Sequence, residues 1–448
     1  MSAGRHLFHK WGAGVAPDLP RIARAHDEFL VTEAGEELVD AAAGAAVANL
    51  GHSVPGVADV MAEQAERVSY LSTSHFTHAP AEALADRLAD LAPGDLDTVF
   101  LVGSGSEANE AAFKLAHAYH RARGSPRKHK VVSRWQAYHG STLGALAAPG
   151  NTTRRAPFDA MVPDWPHVGP ADPYRWGYEG TPEEQARAAA GELETTIRQE
   201  GPETVAAFVA EPVGGASIPA ARPHPAYYEE VRRICDEYDV LFVADEVMTG
   251  FGRTGPLFAV EGYDVVPDLL VVGKGLSAGY APISGVVVRD PVAEPFEQGE
   301  NGSFPHGHTY AGNPVAAAVA GHVVEQYTPD LLATGRERGE TIRAELEPLE
   351  SNPIVGEIRH AGAMLGVEFV ADRETKAPFD PELCVYERVY DAAMERGVYT
   401  YPGRGSVDGV AGDHVMLSPP LNVSEESAER IGRVVVESVE AVAEEVLS

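Results

Sequence analysis

Between residues 95 and 290, six short apolar runs alternate with amphipathic segments, at 98–102, 130–133, 206–210, 240–244, 269–272 and 284–288. Runs of this length read as strands and the segments between them as helices, so the pattern specifies a mostly parallel sheet wrapped by helices. Residues 54–69 and 81–92 read as amphipathic helices ahead of that sheet, and a long alanine-rich helix is expected after Pro314. Residues 363–370 and 413–417 read as strands of a separate C-terminal lobe, which the N-terminal fifty residues, with the alternating Glu28-Phe-Leu-Val-Thr32, are expected to join.

In an open parallel sheet, ligands bind outside the carboxyl ends of the strands, so the residues just after each run carry the functional information. The run at 98–102 leads into Gly103-Ser-Gly-Ser-Glu-Ala-Asn109, and the one around Val131 into Tyr138-His-Gly140. The next three end in Glu211-Pro212, Asp245-Glu246-Val247 and Gly273-Lys274-Gly275. Five strand ends therefore bring a phosphate-type loop, an aromatic ring with an imidazole, carboxylates and an amine to one rim.

Lys274 is one of only six lysines among 448 residues, in a chain with 29 arginines. Arginine stays protonated and cannot act as an amine nucleophile, so a lysine between two glycines at a strand end points to amine chemistry, and in particular to covalent capture of a carbonyl cofactor. A surface lysine in a glycine-rich turn is the plain alternative.

Asp and Glu number 67 against 35 Lys and Arg, a formal net charge of −32 with no single acidic tail. So much dispersed acid argues against nucleic acid or an anionic membrane as partner and suits a high-salt cytoplasm. A hydrophobic content of 44% excludes a disordered chain. Cys235 and Cys384 read as reduced and structural. The first residues, Met-Ser-Ala-Gly-Arg-His-Leu, hold no apolar signal core, and no apolar stretch approaches eighteen residues, which points to a soluble cytoplasmic protein.

Each rim motif has a second reading. Gly103-Ser-Gly-Ser-Glu-Ala suits phosphate binding at a helix start, or simply a tight turn with Ser106 as the cap. It also spells G-x-G-x-x-A, a dinucleotide fingerprint, but the following strand runs into Ser133-Arg-Trp135 rather than an acidic ribose partner. Tyr138 suits stacking on a flat cofactor, or core packing. Asp245, closing a buried run, needs a cation to face, and a structural arginine would also serve. His306-Gly-His308 invites a metal, but no cluster of carboxylates or cysteines completes a site, and none is expected.

Val102-Gly-Ser-Gly-Ser-Glu-Ala-Asn-Glu110, Tyr138-His-Gly140, Glu211-Pro-Val213, Ala244-Asp-Glu-Val-Met-Thr-Gly-Phe-Gly-Arg-Thr-Gly255, Gly273-Lys-Gly-Leu-Ser-Ala-Gly-Tyr-Ala-Pro282 and His306-Gly-His-Thr-Tyr-Ala-Gly-Asn-Pro314 resemble, in order and spacing, the class III pyridoxal-phosphate aminotransferases. The resemblance spans nearly the whole chain. It implies the α/β fold type I of pyridoxal-phosphate transferases, with a large, mostly parallel seven-stranded domain at 55–320 and a small α+β domain built from 1–54 and 321–448. It further implies a homodimer, alone or paired into a tetramer, with active sites shared across the interface. Lys274 corresponds to the lysine that holds the cofactor and shuttles a proton, and Asp245 to the carboxylate on its ring nitrogen. Gly105 and Ser106 match the phosphate loop, Tyr138 and Val247 the residues on the two ring faces, and His139 and Glu211 further cofactor neighbours. Thr309 matches a threonine that reaches the phosphate of the neighbouring subunit's cofactor.

Departures narrow the branch. Ornithine-, acetylornithine- and GABA-directed members usually carry glutamine where Met248 stands, and Glu211-Pro-Val-Gly-Gly215 lacks the usual glutamine after valine. With His306-Gly-His-Thr-Tyr310, this looks more like the omega-transaminases, which move amino groups from amines or omega-amino acids to keto acids such as pyruvate. A diaminopelargonate-type enzyme or another class III member stays open, as does a catalytically silent dimeric protein on the same scaffold. Arg404, in Tyr401-Pro-Gly-Arg-Gly405, lies roughly where omega-transaminases carry a mobile arginine for carboxylates.

The dispersed acid generates a first prediction. The Debye length falls from about 10 Å at 0.1 M salt to about 3 Å at 1 M, which relieves repulsion among the carboxylates. The thermal midpoint should therefore rise between 0.1 M and molar KCl, and a flat or falling midpoint would reject adaptation to high salt.

Overall fold

The computed structural model describes residues 19–297 and 303–448. Fifteen strands are described in three sheets. Strands β1 (Ile22–His26), β2 (Phe29–Thr32) and β3 (Glu37–Asp40) come first. The second sheet uses β4 (Leu96–Val102), β5 (Lys130–Arg134), β6 (His167–Val168), β7 (Val205–Ala210), β8 (Leu241–Asp245), β9 (Leu269–Val272) and β10 (Ser284–Arg289). The third uses β11 (Val355–Ala361), β12 (Met364–Phe369), β14 (Tyr401–Arg404) and β15 (Asp413–Leu417), while β13 (Val398–Tyr399) pairs in parallel with β3.

The large sheet runs in the order β4-β10-β9-β8-β7-β5-β6, and only β10 opposes its neighbours. Its central strands are apolar without alternation because both faces are covered. Phe208, Phe242, Leu270 and Val272 pack into one cluster, and Val209, Val243, Leu269 and Val271 into another on the opposite face. Every residue of β9 has 0% exposure. At about 1.5–3 kcal/mol for each buried Leu or Val, that strand is firmly anchored, and Lys274 stands two residues beyond its last member, Val272.

All six apolar runs are strands, each within two residues of the expected bounds. Strand β6, two residues long, carries no apolar pattern of its own. The helix after Pro314 is shorter than its alanine content suggests. Asn313 caps it through the Val315 and Ala316 amides at 3.0 and 3.1 Å, and it ends at Val324. Pro329 then opens a second helix, Pro329–Glu345, capped by Thr328, so proline at the first helical position resets the chain. The N-terminal strands form their own sheet with β13 rather than joining the sheet of β11, β12, β14 and β15, but Val39 and Ala41 share an apolar cluster with Ile342, Leu365, Val415 and Val435. Among the described residues, no helix is long and apolar enough to cross a membrane.

Candidate active site

The carboxyl ends of β4, β7, β8 and β9 and the segment after β5 surround a cavity of about 180 Å³, which Ser106, Tyr138, Glu211, Asp245, Met248 and Lys274 help to line. Lys274 has φ +44°, left-handed for a residue that is not glycine. Such a conformation costs about 1–3 kcal/mol and persists only where the surroundings fix it. They do so here by close approach. A Cβ on Gly273 would lie 2.5 Å from Ser284 Oγ, and one on Gly275 would lie 2.6 Å from Asn49 Nδ2, so nothing larger than glycine fits on either side.

The Lys274 ammonium donates to the Ala45 carbonyl at 2.9 Å. Burial disfavours its charged form and brings its pKa down to about 8, although the Asp245 and Glu211 carboxylates pull the other way; the Arg253 and Arg154 cations add to the lowering. The lowered pKa leaves more of the amine uncharged near neutral pH than in an ordinary lysine, which favours it as a nucleophile.

Asp245 is the last residue of β8 and is buried. Its Oδ2 accepts from His139 Nδ1 at 2.7 Å and from Asn109 Nδ2 at 2.9 Å, and its Oδ1 accepts the Val247 amide at 3.1 Å. A histidine and an asparagine thus stand where an arginine partner was the alternative. His139 Nε2 and Asn109 Oδ1 are buried without a hydrogen-bond partner among the described residues.

Helix Gly105–Ala122 begins directly after β4, and its cap is Ser104, whose Oγ accepts the Glu107 amide at 3.3 Å. Ser106 is therefore not the cap. Its Oγ accepts the Ser141 amide at 3.1 Å, which ties the first turn to the Tyr138 loop. A Cβ on Gly105 would lie 2.9 Å from Val247 Cγ1, and one on Gly140 would lie 2.6 Å from Ser106 Oγ. Free amides at such a helix start favour an anion. Tyr138 is half-buried, and its hydroxyl and Ser141 Oγ are 3.2 Å apart. Glu211 accepts the Tyr138 amide at 3.3 Å and the Gly215 amide at 3.2 Å. Burial pushes its carboxyl above the usual range, with His139 and Arg134 opposing and Asp245 adding.

Two expected site residues lie elsewhere. Thr309 lines a second, larger cleft of about 910 Å³ with Tyr70, Phe100 and His306. Arg404 is exposed at the end of β14, its guanidinium carbon 6.0 Å from the centre of the Tyr386 ring. Asn109 has no assigned role in the sequence motifs, although its position one helical turn after Gly105 is a usable signal. The Ala45 carbonyl carries none, because backbone groups leave no mark on a sequence. Among the described residues, no three His, Cys, Asp or Glu side chains gather to hold a metal.

The model of the class III aminotransferase family matches residues 13–438. The chain belongs to the class III aminotransferases. It is 40% identical over 425 residues to the aminotransferase YodT of Bacillus subtilis, covering 94% of this chain and 95% of that one. It is 35% identical over 415 residues to the putrescine–pyruvate aminotransferase of Pseudomonas aeruginosa, covering 89% and 86%. The solved omega-transaminase of Pseudomonas jessenii in complex with PMP superposes with a TM-score of 0.89 at 34% identity, over 95% of this chain and 93% of that one. The chain is thus a pyridoxal-phosphate-dependent aminotransferase, which sets aside the dinucleotide and silent-scaffold readings. The residues fit the cofactor: an amine of lowered pKa for its aldehyde, a helix start for its phosphate, and a buried carboxylate at the neighbouring strand end.

Asp245→Asn keeps the shape but has one acceptor oxygen for three donors. It should cost about 3–5 kcal/mol in kcat/KM and about 1.5–3 kcal/mol in stability. Turnover and denaturant midpoints check both, and near-native turnover would make Asp245 purely structural.

Proposed function

We propose that the chain is an omega-transaminase-like enzyme in which Lys274 and Asp245 carry the chemistry on pyridoxal phosphate, with a keto acid such as pyruvate as acceptor. The observation behind this reading is the pairing of β8 and β9 in parallel, with Asp245 opposite Val271, which sets a buried carboxylate and a buried amine at adjacent strand ends.

When bound, pyridoxal phosphate supplies an aldehyde that captures primary amines and a ring that withdraws electrons from the substrate's Cα. Nζ of Lys274 would hold that aldehyde, and the same amine would take up and return the proton at the substrate's Cα. A pKa near 8 suits it for both taking and returning a proton near neutral pH. Asp245 would face the ring nitrogen, and its three donors fix the direction of its carboxylate. Gly105 and Ser106 would hold the phosphate, Tyr138 and Val247 would contact the ring, and His139 orients Asp245. Glu211 lies beside Tyr138 and bounds the substrate space together with Met248, whose sulfur would sit 2.9 Å from a Cβ on Gly215. Gly215 therefore keeps room for both.

The protein acts as a cytoplasmic homodimer adapted to high salt. The cleft around Thr309, with Tyr70 and Tyr310 at 48% and 68% exposure beside it, is the face that a second copy covers, and Thr309 reaches the phosphate site of that copy. The small domain combines the N-terminal strands with residues 321–448. Two free cysteines agree with a reducing compartment.

Lys274→Ala tests the reading directly. It should lose turnover by several orders of magnitude, because both cofactor capture and proton transfer go with the amine, while cofactor still binds through the phosphate loop. A rate within tenfold of wild type in that variant would overturn the assignment.

A further inference from the structure

Arg154 is the one partly buried arginine among the described residues whose guanidinium meets no carboxylate or carbonyl. In a chain with 67 acidic residues, that is a notable omission. Its neighbour Arg155 donates to Asp159 at 2.9 Å. The Arg154 guanidinium carbon instead lies 4.6 Å from the centre of the Tyr138 ring, and that ring lines the Lys274 cavity.

The backbone beneath it is fixed. Asn151, itself buried, accepts the Arg154 amide at 3.3 Å and starts the short helix Thr152–Arg155. The loop after β14 clamps the same helix from outside: Gly409 has φ +85°, and a Cβ there would lie 2.5 Å from Thr152 Oγ1. The loop that begins at Arg404 thus holds the element bearing Arg154, while Arg404 itself faces Tyr386.

A half-buried cation without an anion is under-compensated, and a ring face offsets only part of its lost hydration. Its planar fork of donors matches a carboxylate bidentately. The Tyr138 ring beneath the guanidinium lines the same cavity as Lys274, which puts Arg154 at the margin of the space a small substrate would fill. We propose that Arg154, rather than Arg404, receives the carboxylate of the substrate, be it the keto acid or an omega-amino acid. The inference rests on the transaminase reading above and adds the residue that makes it selective for acids. Neutral amines and aldehydes, which have no carboxylate, would react without that contact.

In the test, the two half-reactions of the holoenzyme are monitored by the cofactor's absorbance, comparing pyruvate with acetaldehyde as acceptors and beta-alanine with benzylamine as donors. Arg154→Ala should lower kcat/KM for pyruvate and beta-alanine by about ten- to a hundredfold while changing the two neutral compounds by less than about threefold. Arg154→Lys should recover part of the loss. Propionate, an unreactive carboxylate, should bind the wild-type holoenzyme at least tenfold more tightly than the alanine variant, which is read without turnover. Equal losses for acids and neutral compounds would make Arg154 a support for the Tyr138 ring and overturn the proposal. Weakened cofactor retention as the main effect would assign it to the cofactor phosphate, again overturning it. No loss, or a selective loss in Arg404→Ala instead, would return carboxylate recognition to Arg404. If the wild-type enzyme accepted no keto acid from any amine, the transaminase reading would fail first, and the propionate comparison would still decide the role of Arg154.

Discussion

Placing a lysine amine inside the protein, just beyond the end of a fully buried strand, is the constraint on which the rest of the site depends. Burial brings its pKa to about 8, and glycines on both sides let the chain turn through a left-handed conformation against Ser284 and Asn49. Those close approaches require the surrounding strands and the N-terminal segment to be in place. Local strain at Lys274 is sustained by long-range packing, as expected for a reacting group.

The opposite charge is managed by a different device. Asp245 sits on the adjacent strand and is satisfied by His139, Asn109 and the Val247 amide, which come from three separate segments. Three donors orient the carboxylate without an arginine partner. It is therefore not committed to a structural arginine. Arg154 stands as the complementary case, a cation left without a protein anion on the ring of Tyr138.

Much of this is legible in the residue order. Apolar runs buried on both faces cannot alternate, so all six strands of four or more residues in the large sheet can be read, and the residues after each run mark the rim. The two-residue strand β6 cannot be read, because it is too short to carry a period. Among site residues, Lys274, Asp245, Tyr138 and Glu211 stand out because their chemistry is conspicuous at strand ends. Asn109, the Ala45 carbonyl and Arg154 do not, since their meaning comes from contacts with residues far away in the chain or from a missing partner. Arg404 draws the eye because glycines flank it, but Gly403 makes room for the His414 ring and Gly405 for the Gly409 backbone.

The measurement that bears most directly on the Lys274 site is reduction of the cofactor-loaded enzyme with borohydride, followed by peptide mapping. With only six lysines in the chain, the position of a pyridoxyl label is unambiguous. The label should appear stoichiometrically on the peptide carrying Gly273-Lys274-Gly275 and vanish in protein treated beforehand with a primary amine donor. A label on any of the other five lysines with none on Lys274, or no label despite bound cofactor, would contradict the placement of the reacting amine.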